Sequence, residues 1–214
     1  MHDRYAQSWY RTLTFVQTTT LTRTGAPIVQ TWYEAATLPG RLRIDTNLET
    51  KSGAMYAHDS VYSFADGKLA RADSGFNDLL VLGFDVYTQP PSQTESVLRH
   101  LGFDLSKIHL GTWNGDTVYV VGAQRGDTTT KQFWVDRQKL LFVRLLARTP
   151  RGQSDIRFNK YEPLAGGWIA AEVEQLVNGN RVLLEEYRDI KANMSLSSAL
   201  FDPKEWSTAT HWSR

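Results

Sequence analysis

Apolar and polar residues alternate along most of the chain. The clearest run is Arg41-Leu42-Arg43-Ile44-Asp45, where period 2 sends Leu42 and Ile44 to one face and three charges to the other. Before it, residues 10–22 read as a long strand. Its alternate positions Leu13, Phe15 and Leu21 supply an apolar face, with Thr12 and Thr14 opposite. A turn follows at residues 24–27, then a second strand at 28–38 that stops at Pro39-Gly40. Residues 56–65 and 68–72 form a hairpin around Asp66-Gly67, a pair that tolerates positive φ. The alternation resumes at residue 108. Strands are predicted at 108–113, 117–121, 132–135, 140–148, 154–162, 168–177 and 181–190, the last two joined by Asn178-Gly179. A short helical tail, 195–201, ends at Asp202-Pro203. Tight turns make neighbouring strands antiparallel.

One excursion breaks this texture. Over residues 76–106 the apolar spacing lengthens and strand-forming residues thin out. Asn77 or Asp78 caps a short helix through Leu79, Leu80, Leu82 and Gly83. Ser92, with Glu95 three residues on, reads as a capping box for a second helix. Val97, Leu98, Leu101 and Phe103 follow near helical spacing, with Gly102 at the end. The expected fold class is therefore mainly β with a helical insert (α+β). It is one curved antiparallel sheet of roughly eleven or twelve strands in a single domain, 1–214. A sheet that long must curl or close. The insert is its natural plug and lid, with Leu79, Leu80, Leu82 and Phe84 directed inward. Leu13, Phe15, Trp32, Leu42, Ile44, Phe133 and Val135 can share one side of such a sheet. That side is either packed core or the lining of a cavity for an apolar ligand.

Composition narrows the function. Lys+Arg is 24 and Asp+Glu is 23, a net charge of +1, which gives no footprint for nucleic acid. Cys is 0, so no disulfide, thiolate metal site or catalytic cysteine is expected. No apolar run approaches the roughly 20 residues of a transmembrane helix. Phosphate-binding glycine loops, a nucleophile elbow and paired metal-ligand spacings are absent, so no catalytic residue, cofactor or metal site is assigned. His58-Asp59 would be split across a strand, and His100 and His109 flank the passage from helix to strand. Glu172, Glu174 and one of Glu185 and Glu186 can share a face near Asn178-Gly179, best read as cross-strand ion pairs with Arg181, Arg188 and Lys191. Arg144, Arg148, Arg151 and Arg157 read likewise as a solvated sheet face.

The order of these signals resembles the Lol-type lipoprotein carrier and lipoprotein-sorting superfamily. Three stretches carry the resemblance. The first runs from Trp32-Tyr33-Glu34 through Leu38-Pro39-Gly40-Arg41 to Asp45. The second is Lys131-Gln132-Phe133-Trp134-Val135-Asp136. The third is Tyr187-Arg188-Asp189-Ile190-Lys191-Ala192-Asn193 with Leu196 and Leu200-Phe201-Asp202-Pro203. Together they cover nearly the whole chain in order. The resemblance implies an unclosed β-barrel wrapped over helices and a cavity for the acyl chains of lipid or lipoprotein, and the expected protein is a non-enzymatic monomer. It also implies export to the periplasm with a signal peptide removed. The carriers have an Arg immediately before the Pro of the second hairpin, which helps hold their lid. Here that residue is Leu38, and a general lipid-binding or sorting-like relative fits better than a true carrier. The same fold hosts sensor domains, so an envelope protein partner is the alternative expectation.

Overall fold

Strands before the insert build one half of a sheet, and strands after it build the other. The computed structural model describes residues 1–22 and 25–213. The turn expected at 24–27 begins at Thr24, which lies outside the described residues. A short helix α1 (His2–Tyr5) precedes β1 (Thr12–Leu21), β2 (Ile28–Thr37), β3 (Arg41–Asn47), β4 (Ser52–Ala57), β5 (Ser60–Ala65) and β6 (Lys68–Ser74). The insert contains α2 (Asp78–Gly83), a 3-10 turn (Asp85–Tyr87) and α3 (Pro91–His100). Then come β7 (Ile108–Trp113), β8 (Asp116–Val121), β9 (Gln132–Asp136), β10 (Phe142–Thr149), β11 (Gly152–Leu164), β12 (Gly167–Val177) and β13 (Asn180–Ala192).

All thirteen strands lie in one antiparallel sheet, ordered β6-β5-β4-β3-β2-β1-β13-β12-β11-β10-β9-β8-β7. The halves join where β1 pairs with β13. β6 and β7 are the two ends of the sheet, and the insert is the chain that connects them. The sheet is not closed, and its covering helices start at one free edge and finish at the other.

Register sets which residues meet those helices. Leu13 stands opposite Ala36 and Phe15 opposite Glu34. Ala36 and Glu34 in turn face Leu42 and Ile44. This inner face packs with Leu80 and Tyr87 into one core cluster. A second cluster gathers Val81, Leu82, Phe133, Val135, Phe142, Leu145 and Phe158. Phe84 touches both clusters, so the core is continuous. Helix and sheet approach closely at Gly83. A Cβ there would lie 2.9 Å from the Phe158 ring, so any larger residue would lift α2 from the sheet.

The outer face of β2 to β5 is covered by the C-terminal segment, which forms 3-10 turns at Ser198–Phe201 and Pro203–Glu205. Leu200 and Phe201 bury Ala35, and Trp206 stacks on Phe64 beside Met55. Beneath it lies a buried ion pair. The Arg43 guanidinium donates to both oxygens of Asp45 at 2.8 and 2.9 Å and to the Trp206 carbonyl at 3.0 Å. His211 reaches the same carboxylate at 3.2 Å.

Three local expectations are corrected. The strand count is thirteen because the run 56–65 is divided at His58 and Asp59, whose φ values of 53° and 55° make them a turn. The freed segment 52–57 becomes β4. The first strand begins at Thr12, since Tyr10 turns inward and is fully buried. Ser92 does not cap α3. The helix starts at Pro91, where a missing N–H costs nothing, and it has no side-chain cap.

Candidate ligand site on the inner face

The seven residues expected to share a side do so. Leu13, Phe15, Leu42, Phe133 and Val135 are buried, and Ile44 is half-buried against the first cluster. Trp32 stands opposite Gln17 on the same face but is only half-buried, because this end of β2 runs past the helices. These side chains form a packed floor. A cavity of about 300 Å³ lies beside it, under the junction of β3 to β5 with α2 and α3. Apolar Leu80, Val81, Val97 and Phe76 line it on the insert side, with Arg41, His58 and Asp59 at the strand turns. Of the eleven residues named from sequence for floor and lid, Leu80 lines this cavity.

The insert is held unevenly. The Asn77 side chain caps α2, accepting from the Leu79 and Leu80 amides at 2.8 and 3.1 Å. Leu80, Val81 and Leu82 point into the core, while Leu79 and Phe84 are partly buried against it. Beyond α2 the chain is anchored more firmly. The Tyr87 ring stacks on Trp9 at 3.8 Å, and its hydroxyl accepts from the Phe142 amide at 3.0 Å. Asp85 accepts from the Gly40 amide at 2.9 Å, just after Leu38-Pro39. Burial pushes the Asp85 carboxyl up to about 7, although that hydrogen bond pulls the other way. A tie between insert and second hairpin therefore exists without an arginine at position 38.

Replacing Asn77 by Ala should remove two capped amides from a six-residue helix. The expected loss is about 1 kcal/mol in stability. Amide exchange should rise first at Leu79 and Leu80; unchanged exchange there would show that packing alone holds α2.

The other sequence candidates disperse. His100 packs edge-to-face on Phe76, and His109 stands across from Val120 on β7, so they do not converge. Among the described residues no group of three or more His, Cys, Asp or Glu is arranged to hold a metal. Glu172 and Glu174 do form ion pairs across strands, but with Lys160 and Arg157 rather than with Arg181, Arg188 or Lys191. Arg144 lies between Trp113 and Trp134, 4.2 and 4.4 Å from the ring centres, and binds Asp155 through two hydrogen bonds. Arg144 and Arg157 are therefore engaged in outer-face contacts, whereas Arg148 and Arg151 are exposed.

Glu185 parts from this group. It lies on the inner face opposite Thr19, beside Gln17, Tyr187 and, across β1, Glu34. Burial pushes the Glu185 carboxyl up to about 7, against hydrogen bonds from Tyr187 and Gln17. Burial, then repulsion from Glu185, pushes Glu34 well above the carboxylate range. Sequence reading missed this cluster, together with Asp85 and Tyr87. The available signal was phase: Gln17 and Glu34 occupy apolar-face positions of their strands.

A LolA superfamily protein from Nitrosomonas europaea aligns with a TM-score of 0.55 at 11% identity, covering 94% of this chain and 95% of that one. The chain has the LolA-type fold. A domain from Vibrio parahaemolyticus, described as an outer membrane lipoprotein-sorting protein, gives 0.61 at 12% identity over 92% and 91%. A DUF1329 family protein from Desulfovibrio piger gives 0.59 at 12% over 91% of each chain. No family model and no curated protein matches the sequence. The likeness is thus one of LolA-type architecture, carried nearly end to end with little sequence identity.

Proposed function

We propose that this protein, as one domain of residues 1–214, is a non-enzymatic carrier or binding protein for the acyl chains of lipid or lipoprotein. Export to the periplasm follows from that reading, in keeping with the lipoprotein-sorting description of one structural neighbour. The observation that carries it is the placement of α2. A six-residue apolar wedge fills the inner face of an unclosed sheet, between a side-chain cap and the Asp85 and Tyr87 anchors. The same apolar floor can take an acyl chain when α2 lifts, with Leu13, Phe15, Trp32, Leu42, Ile44, Phe133 and Val135 as its lining. Leu79, Leu80, Leu82 and Phe84 then act as the lid.

Magnitudes support the exchange. Withdrawing Leu80, Val81 and Leu82 from the core costs about 5–9 kcal/mol at about 1.5–3 kcal/mol each. An octyl chain returns about 6 kcal/mol and a tetradecyl chain about 11 kcal/mol, at about 0.8 per methylene. Binding of neutral alkanols should therefore show a threshold in chain length. Displacement of N-phenyl-1-naphthylamine is expected to be negligible with octanol and strong with tetradecanol. Above the threshold, affinity should tighten roughly tenfold for every two methylenes. Leu82→Asp should weaken tetradecanol binding far more than Arg148→Ala on the exposed outer surface. If the naphthylamine itself fails to bind and no alkanol shifts the melting temperature, the carrier reading is wrong.

A second reading, an envelope protein-interaction domain, draws on the free edges. β6 is exposed along its whole length, and β7 exposes Ile108 and Leu110. Strand addition at β7 would be blocked by Ile108→Pro, while alkanol binding would be untouched.

A further inference from the structure

The inner face is apolar wherever helices cover it, except at one place. There Gln17, Thr19, Glu34, Glu185 and Tyr187 lie side by side on β1, β2 and β13. Gln17 is the centre of the group, facing Trp32 on one side and Tyr187 on the other. Its side chain is 0% exposed. The amide nitrogen donates to Thr19 Oγ1 at 2.8 Å, but its carbonyl Oε1 has no partner. Tyr187 donates to Glu185 at 3.1 Å. Glu34 has no hydrogen bond or ion pair among the described residues, and Glu185 has no ion pair. Among the described residues no Lys, Arg or His acts on either carboxyl. The neighbours that do are Tyr187, Gln17, Tyr56 and the partner glutamate.

Such a group is costly in an unliganded protein. Buried carboxyls are ordinarily paired, and buried amides ordinarily bonded. Here the Gln17 carbonyl and two carboxyls converge, and the carbonyl and Glu34 are left without a hydrogen-bond donor among the described residues. The group lies where the helix cover ends, next to half-buried Trp32, so a ligand could reach it from the open end of the inner face. Acceptors with no cation among the described residues, beside an indole ring, match one chemistry. A primary ammonium offers three N–H donors, a charge to balance the carboxylates and a partner for the indole face.

We propose that Gln17, Glu34 and Glu185, with Trp32, form the receptor for a cationic amine head group, so that the amphiphile held on the inner face is an ammonium-bearing lipid. This inference rests on the acyl-binding reading above and names the polar end of the ligand. The hydrocarbon tail would run from the polar group along Phe15 and Ile44 toward the space that α2 occupies. The ammonium would donate to Gln17 Oε1 and to the two carboxylates.

The test compares three twelve-carbon probes below their micelle concentrations at pH 7.5: dodecylammonium, dodecanol and dodecanoate. Affinities are measured by calorimetry on the full chain. The expected result is that dodecylammonium binds at least tenfold tighter than dodecanol, and dodecanoate weaker than both. In E34Q/E185Q the preference for dodecylammonium over dodecanol should fall below twofold. The same variant without ligand should melt at a higher temperature than the parent at this pH, since amides carry no penalty for ionising in the unfolded chain while the folded carboxyls hold raised values. Equal binding of dodecylammonium and dodecanol by the parent chain would overturn the receptor while leaving the acyl-binding reading intact. So would a preference that survives in the double variant. Binding of none of the three probes would overturn both.

Discussion

Arg43→Met is expected to destabilise the protein by about 3–5 kcal/mol. Arg43 and Asp45 expose only 5% and 2% of their side chains, so removing the guanidinium leaves a carboxylate buried without its main partner. It also releases the Trp206 carbonyl and the ring stacked 4.0 Å from the guanidinium carbon. The C-terminal segment should therefore loosen from the outer face before the sheet opens. Thermal melts should show the loss, and exchange should rise first at residues 198–206. Asp45→Asn in the same chain should restore part of the stability, because it removes the stranded charge. The Asp45 carboxyl is raised by burial, but hydrogen bonds from His211 and Arg43 carry it below its ordinary value. Its contribution is present above the unfolded carboxylate range and is lost as pH falls through the lowered folded value. A melt of Arg43→Met that matched the parent would mean that the pair does not hold the segment.

The inner-face carboxyls are expected to act in the opposite direction. Asp85 and Glu185 are each pushed up to about 7, from ordinary values of 3.8 and 4.5, and Glu34 is also raised. Between the unfolded and folded values the native state binds more protons than the unfolded chain. Stability must therefore fall as pH rises through this window, by about 1.4 kcal/mol per pH unit for each group. The unliganded protein is expected to be most stable near pH 4–5 and to lose stability steadily toward pH 8. Asp85→Asn keeps an acceptor for the Gly40 amide and removes one titration. At pH 8 it should be more stable than the parent by roughly 4 kcal/mol, with little difference at pH 4. Denaturant midpoints across this range measure both effects. A parent profile that rises to neutral pH would contradict the burial of these groups as charges without partners.

Much of the architecture was legible because strand periodicity reports faces directly. Leu42 and Ile44 alternate with charges, and the register places them opposite Ala36 and Glu34 on the helix-covered side. The insert was legible because its spacing changes and Asn77 provides a capping signal, which the hydrogen bonds to Leu79 and Leu80 bear out. Errors arose where a local rule had competition. Asp66-Gly67 was read as a turn, but His58-Asp59 adopts the same left-handed conformation without glycine, so one strand was read as continuous where there are two. The Ser92 and Glu95 pair matched a capping box, yet Pro91 had already begun the helix. The pairing of inner-face carboxyls was beyond local pattern. Glu34 and Glu185 are separated by most of the chain and meet because β1 pairs with both β2 and β13. The tie between Asp85 and Gly40 was hidden for the same reason, since it joins the insert to a hairpin 45 residues earlier.

The central claim is that α2 is a removable part of the core, giving way to an acyl chain on the inner face. Amide hydrogen exchange with and without tetradecanol tests it most directly. The account predicts that amides of Asp78–Gly83 in the free protein exchange faster than those around Trp134 and Val173, since a short capped wedge can leave without unpairing the sheet. Saturating tetradecanol should change exchange in α2 and in the inner-face strands, leaving the C-terminal turns at Ser198–Phe201 unaffected. Exchange in α2 as slow as in β9 and β12, and unmoved by tetradecanol, would mean that α2 is permanent core and that no ligand enters beneath it.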